Sequence, residues 1–176
     1  MAASDKKIIL KCSDGQTFEV EEAIAIQSQT IKCTIEDDCA HNTIPVPNVT
    51  GKIMSMVLEY CNKHAEYASV AESSAGESSS SDAPSADVDD DADSKFIKNW
   101  DAKFVNNVDL FVLFELIQAA NYLNIQKLLD LTTQAVANKI RDKMPEEIRE
   151  IFSIENDFTP EEEEQLRKEN AWAYEV

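Results

Sequence analysis

Glycine is scarce in this chain: Gly15, Gly51 and Gly76 are the only three among 176 residues. Phosphate-binding loops need clustered glycines so that the backbone can approach the phosphates, and this scarcity excludes both GxGxxG and GxxxxGK(S/T). The sequence also lacks a G-x-S-x-G nucleophile elbow, and it groups no nucleophile, base and oxyanion donor. It therefore predicts a protein that is not an enzyme and that binds no cofactor.

Basic residues are few, since 16 Lys and Arg stand against 34 Asp and Glu, which gives a formal net charge of −18 at pH 7. Nucleic acids and anionic membranes bind clustered positive charge, so neither is an expected partner. The N-terminus lacks the apolar segment typical of a secretory signal. We therefore expect a protein of the nucleus and cytoplasm whose cysteines are reduced thiols: Cys12, Cys33, Cys39 and Cys61.

Metal-ligand patterns are weak. Cys39 and His41 lie close together, but no second pair completes four ligands, and a turn is the commoner explanation. The acidic run from Asp89 to Asp93 resembles the start of a calcium-binding loop. That loop then needs Gly and Glu at the positions of Ser94 and Trp100, so a solvated acidic stretch is favoured and no metal is expected.

The composition changes sharply at residue 68. Residues 68–94 contain eight acidic residues and nine serines but no Lys, Arg or Leu. Such a segment buries too little apolar surface to offset its ordering entropy, so it is predicted to be a disordered linker whose serines are open to phosphorylation. It separates two folded segments, 5–67 and 95–176.

The first segment has an α+β pattern. Residues 7–11 and 16–20 alternate in hydrophobicity around a Ser-Asp-Gly turn, which predicts a β-hairpin. Ser28 and Thr50 are positioned to cap two helices. Between those helices, residues 43–47 contain two prolines, which confine them to a short strand at a sheet edge.

The most apolar stretch of the second, all-helical segment is residues 108–125. At 100° per residue, Glu115, Gln118 and Tyr122 form one narrow polar stripe beside Phe111, and the rest of the circumference is apolar. The stretch is too short and too often interrupted by charge to cross a membrane. Its apolar surface must therefore be covered by other helices of the chain, by a partner, or by both.

Further helices are predicted at 93–104, at 126–141, from Pro145 and from Pro160. The helix at 126–141 places on one face Leu129, Thr132, Val136 and Ile140. Thr159 and Glu162 have the spacing of a capping box. The last helix is mostly charged, and its large apolar residues are Leu166, Trp172 and Tyr174. Because short isolated helices are marginal in water, we expect 157–176 to be ordered mainly when docked.

A series of collinear strings then carries a resemblance: SDG at 13–15, FEV at 18–20, LFELI at 113–117, AANYL at 119–123, PEEIR at 145–149, NDFTPEEEE at 156–164, and RKEN at 167–170 followed by Trp172. They resemble the S-phase-kinase-associated adaptor family of SCF ubiquitin ligases. The resemblance covers essentially the whole chain and is greatest to plant-type members.

This resemblance implies an N-terminal BTB/POZ fold followed by an all-helical C-terminal extension that completes the core and binds F-box proteins. It implies an adaptor that performs no chemistry itself. Such an adaptor bridges a cullin scaffold to F-box substrate receptors, so that substrates are ubiquitinated and degraded. A RING protein and a ubiquitin-conjugating enzyme would be indirect partners.

The resemblance also implies two sets of contact residues. The cullin-binding pair is Asn121 and Tyr122, and the F-box-binding residues are Leu116, Ile117, Ile148, Ile151, Phe152, Leu166 and Trp172. For Tyr122 the alternative is a capped core tyrosine, and for Leu116, Ile117 and Ile148 it is the intramolecular core. Trp172 is the strongest candidate, because little nearby sequence could bury it.

One loop departs from the family, which usually has Lys-Gly-Lys-Thr where this chain has Arg141-Asp142-Lys143-Met144. A Gly suits the left-handed position after a helix, and a Thr caps the next one. We therefore expect Asp142 to adopt that conformation at some cost, Met144 to leave its helix without a side-chain cap, and F-box selectivity or affinity to change.

Two alternatives remain at this point. An elongin-C-like adaptor or a free BTB oligomer would not bind F-box proteins, although the C-terminal helices argue against the elongin type. An acidic ion-binding or chaperone-like protein would rest on residues 68–94 alone.

Overall fold

The computed structural model describes residues 7–37, 43–74 and 92–173. The chain divides into a larger unit that runs to Asn138 and a smaller unit that begins at Lys139. The described strands are β1 (Lys7–Cys12), β2 (Thr17–Glu21) and β3 (Thr43–Val46). The described helices are α1 (Glu22–Ala25), α2 (Gln29–Glu36), α3 (Gly51–Ser74), α4 (Ala92–Asn106), α5 (Leu110–Leu123), α6 (Gln126–Ile140), α7 (Pro145–Phe152) and α8 (Pro160–Glu169), followed by a 3₁₀ turn at Ala171–Ala173. The predicted α+β class is confirmed.

The predicted hairpin forms the start of a sheet with the strand order β2-β1-β3. β1 runs antiparallel to β2, with Leu10 opposite Phe18, and parallel to β3. Gly15 closes the hairpin turn at φ 82°, a left-handed conformation that favours glycine. β3 lies at the edge of the described sheet, where its proline is tolerated.

One hydrophobic core lies between the sheet and the helices of the larger unit. Its central members are fully buried: Leu10 from β1, Met54 from α3, and Leu116 and Leu123 from α5. Residues on both sides of the acidic stretch thus share one core. The boundary between the two units falls within α6, after Asn138.

The predicted linker is shorter at both ends than the composition suggests. Residues 68–74 continue α3 and residues 92–94 begin α4, so the prediction of disorder is wrong there. The reason is local: residues 68–74 contain neither Gly nor Pro, and α3 ends just before Gly76. Residues 75–91 lie outside the described residues, as do Cys39 and His41.

Two further details differ from the sequence pattern. The four-residue helix α1 was not predicted. In α6 the buried residues are Leu128, Thr132 and Ala135, whereas Leu129 and Val136 are half-buried. The half-buried residues also contact apolar neighbours. Leu129 packs against the main core, and Val136 packs against a small second cluster around Leu113.

Candidate interaction surfaces

Helix α5 is fixed at both ends by its own sequence. The Asp109 carboxylate accepts a hydrogen bond from the backbone N–H of Phe111 at 3.3 Å and so caps the N-terminus. At the other end Asn124 adopts the left-handed conformation at φ 52°, and the N–H of Ile125 donates to the carbonyl of Ala120 at 2.9 Å. The helix that carries the predicted cullin-binding pair therefore begins and ends at defined residues.

The last turn of α5 is also tied to the first turn of α2. The Ser28 hydroxyl donates to the carbonyl of Leu123 at 2.6 Å and accepts from the N–H of Ile31 at 3.2 Å. The Thr30 hydroxyl donates to the carbonyl of Tyr122 at 2.8 Å. Carbonyls in a last helical turn have no partner within the helix. These hydroxyls satisfy two of them and fix the backbone of Tyr122.

The solvent-facing side of α5 is a stripe formed by Phe111, Glu115, Gln118 and Asn121, all exposed, with Tyr122 half-buried beside them. The predicted polar stripe is therefore present. Tyr122 also packs against the main core, so this side chain contributes both to the core and to the surface. Asn121 is exposed and is not among the residues packed against the core.

The structure separates the two predicted F-box residues of α5. Leu116 is fully buried in the main core, so it is removed from the candidate surface: the intramolecular alternative holds for this residue. Ile117 is half-buried and keeps part of its surface. Neighbouring positions on a helix point about 100° apart, which explains why one lies in the core and the next at its margin.

The predicted F-box residues of the smaller unit all keep exposed surface. Ile148, Ile151 and Phe152 are half-buried on α7. Leu166 on α8 is exposed, and Trp172 is 77% exposed. The described part of the smaller unit contains no buried residue. Its large apolar side chains therefore all keep part of their surface exposed.

Ion pairs and caps, not a core, connect the described helices of the smaller unit. Arg167 of α8 contacts Glu146 of α7 at 2.6 Å, and Arg149 contacts Glu163 at 3.5 Å. The Arg167–Glu146 pair is exposed, and such pairs contribute about 0–1 kcal/mol, whereas the Arg149–Glu163 pair is partly buried. The predicted capping box is present, and the hydrogen bond from the Thr159 N–H lowers the pKa of Glu162.

Two exposed apolar residues of the smaller unit were missed by sequence reasoning. Ile154 lines a groove of about 370 Å³ together with Glu146, Arg149 and Asn156. Phe158, over whose ring the Arg149 guanidinium lies at 5.8 Å, lines a second groove of about 210 Å³ with Leu166. The available signal was that each is a large apolar side chain in a loop outside any helical periodicity.

The loop at 141–144, which departs from the family pattern, adopts the conformation expected of it. Asp142 has φ 59°, in the left-handed region. Met144 occupies the N-cap of α7 without a side-chain cap hydrogen bond. Glu147 supplies half of a capping box instead, since its carboxylate accepts from the N–H of Met144 at 2.9 Å and from Lys143 at 3.0 Å. Both hydrogen bonds lower the pKa of Glu147, and the bond from the Met144 N–H has the larger effect.

Comparison with known proteins decides the family. Residues 6–66 match the Skp1 family tetramerisation domain, and residues 126–173 match the Skp1 family dimerisation domain. SKP1-like protein 1A of Arabidopsis thaliana is 56% identical over 173 residues, which cover 98% of this chain and 99% of that protein. The chain belongs to the Skp1 family. SKP1-like protein 1 of Oryza sativa subsp. japonica, another member, is 58% identical over 175 residues, 99% of each chain.

Skp1 family membership confirms the function predicted from the sequence. The chain is an adaptor subunit of an SCF ubiquitin ligase, which links a cullin to F-box proteins. The match over residues 126–173 includes the C-terminal helices that argued against the elongin-C-like alternative. Among the described helices, α5 included, none combines the length and apolar character needed to cross a membrane.

Proposed function

We propose that this Skp1 family adaptor contacts its two partners through two separate surfaces. The cullin binds the C-terminal end of the α5 stripe, at Asn121 and Tyr122. The F-box protein binds the smaller unit through Ile148, Ile151, Phe152, Leu166 and Trp172. Ile117 on α5 is kept as a separate candidate F-box contact of the larger unit. Leu116 makes no direct F-box contact in this proposal, because it is buried in the core beneath α5 next to Ile117.

The observation that carries this proposal is the absence of a core in the described part of the smaller unit. Its helices bury no side chain, although they present Trp172 with 77% of its surface exposed. Short helices without buried side chains are marginal in water. A partner that covers the apolar residues would supply the missing burial, and Trp is the residue type most enriched at interface hot spots.

The cullin surface is supported by a different property, its rigidity. The backbone carbonyl of Tyr122 is held by Thr30, and that of Leu123 by Ser28. A side chain on such a fixed backbone loses little conformational entropy on binding. Asn121 offers both hydrogen-bond donors and an acceptor, and Tyr122 adds a large amphipathic ring beside it.

The proposal includes no chemistry by the adaptor itself. The RING protein and the ubiquitin-conjugating enzyme would be reached only through the cullin, and the net charge of −18 disfavours nucleic acid and anionic membranes as partners. We place the protein in the nucleus and cytoplasm. Burial raises the pKa of Cys61 to about 12, so this free thiol is protonated at neutral pH.

Two substitution pairs in the full chain test whether the surfaces are separate. Asn121→Lys/Tyr122→Lys should reduce affinity for a cullin N-terminal domain by about 100-fold and leave F-box binding unchanged, because two hot-spot side chains become charged. Leu166→Ala/Trp172→Ala should do the reverse. Isothermal titration calorimetry with each purified partner measures both affinities.

The matched control is Lys98→Ala/Asn99→Ala at two exposed positions of α4, a helix that carries none of the proposed contact residues. It should change neither affinity. Retention of cullin binding by the Asn121/Tyr122 variant would move the cullin site elsewhere. If each pair lowered both affinities equally, with unchanged unfolding midpoints, the proposal of two separate surfaces would be wrong.

A further inference from the structure

Phe111 is a large apolar side chain that the fold leaves uncovered. It lies in the first turn of α5 and is 68% exposed, more than any other Phe among the described residues. Its backbone is held at the start of the helix, because its N–H donates to the carboxylate of Asp109. An aromatic side chain this exposed adds little to the stability of the free chain, which leaves its surface open to a partner.

Phe111 stands on the same stripe as the proposed cullin site. Eleven residues separate it from Tyr122, which corresponds to three turns plus about 20° and an axial distance of about 16 Å. The intervening stripe residues, Glu115 and Gln118, are also exposed. The stripe is therefore continuous from the first turn of α5 to Tyr122, and an aromatic ring stands at each end of it.

The opposite side of α5 is occupied by the chain itself. Leu113, Leu116 and Ala120 have no exposed surface. A partner that binds Asn121 and Tyr122 finds no surface on the buried side of α5, whereas the exposed stripe continues from there towards Phe111. Standard protein interfaces bury roughly 800 Å² on each partner, which two residues cannot supply, whereas three turns of helix with two aromatic side chains supply a substantial part of it.

We propose that Phe111 is a further cullin contact, an aromatic anchor at the far end of the stripe that inserts into an apolar pocket of the cullin N-terminal region. This inference rests on the proposed location of the cullin surface at Asn121 and Tyr122. It adds a second anchor three turns away, with Glu115 and Gln118 between them as polar contacts.

The full-length chain with Phe111→Ala tests this proposal against a cullin N-terminal domain. Loss of a buried aromatic anchor should weaken binding by about tenfold or more. Phe96→Ala is the matched control, since Phe96 is 60% exposed on α4 and lies off the stripe. It should leave the affinity unchanged. Both variants should keep the wild-type F-box affinity and unfolding midpoint, because neither ring contributes to the core.

The outcomes separate this inference from the proposal on which it rests. If Phe111→Ala binds the cullin as tightly as wild type while Asn121→Lys/Tyr122→Lys loses binding, the Phe111 anchor is refuted and the cullin surface stands. If neither variant loses binding, both are refuted. A change confined to self-association, measured by sedimentation velocity, would assign Phe111 to a second copy of the chain and also overturn the inference.

Discussion

Helices α5 and α8 show how differently the two units stabilise a helix. α5 buries five of its 14 residues, including Leu113, Leu116 and Leu123. α8 has ten residues and buries none, although its capping box and its charges match the helix dipole well. Caps define where a helix begins and ends, whereas buried apolar area decides how firmly it is held. The larger unit is therefore stable by its own contacts, and the smaller unit leaves its apolar side chains for a partner.

A matched pair of Leu→Ala substitutions should produce the largest contrast between these helices. Leu116→Ala opens a cavity in the main core and should lower the free energy of unfolding by about 2–5 kcal/mol. Leu166→Ala removes an exposed side chain and should cost only about 0.5 kcal/mol in the free chain. Urea denaturation followed by far-UV circular dichroism measures both changes.

F-box binding provides the second half of this comparison. Leu166→Ala should weaken F-box binding although it barely changes stability, whereas Leu116→Ala should change affinity only in proportion to the fraction unfolded. Equal unfolding free energies for the two variants would contradict the assignment of Leu116 to the core and of Leu166 to a surface.

The tie between α2 and α5 should have a smaller effect. Ser28→Ala removes the N-cap of α2 and leaves the buried carbonyl of Leu123 without its donor, so it should cost about 1–2 kcal/mol of unfolding free energy. Ser55→Ala is the matched control, because its exposed hydroxyl bonds only to a carbonyl of its own helix. That variant should remain within about 0.5 kcal/mol of wild type. An equal loss for both serines would show that the contact to Leu123 contributes nothing.

Local signals in the sequence were sufficient for most helix and strand ends. Ser28, Asp142 and the Thr159–Glu162 box act within a few residues of themselves, and the structure places each as predicted. The second hydrogen bond of Ser28, to a carbonyl 95 residues away, depends on how α2 packs against α5. No local pattern contains that information, so the support of the proposed cullin site was not predicted.

The candidate residues show the same limit. Around a helix as apolar as α5, periodicity does not tell which side the chain covers itself, so Leu116 and Ile117 were indistinguishable from sequence. The packing of α3 and the sheet against one side decides between them. In the smaller unit the prediction from residue type agrees better with the structure, because few apolar residues are present to bury Leu166 and Trp172. Phe111 was expected beside the polar stripe, and the structure adds that it is 68% exposed there.

Restoring the usual residues of the departing loop should give the smallest effect and a gain of stability. Asp142→Gly removes the cost of a left-handed conformation, and Met144→Thr adds the missing N-cap oxygen. Each should stabilise α7 locally by about 0.5–1 kcal/mol. Native-state hydrogen exchange should show slower exchange of the α7 amides, with no change in α5.

Met144→Ala separates the capping effect from the loss of the exposed methionine, because alanine supplies no oxygen and should give no protection. The loop also lies in the unit proposed to bind F-box proteins, so a more ordered α7 lowers the entropy cost of docking. The double variant Asp142→Gly/Met144→Thr should therefore bind several F-box proteins more tightly. The F-box proteins that contact α7 most extensively should gain the most affinity. If the α7 amides exchanged more slowly but no F-box affinity changed, the loop would affect only the stability of α7 and not the choice of F-box partner.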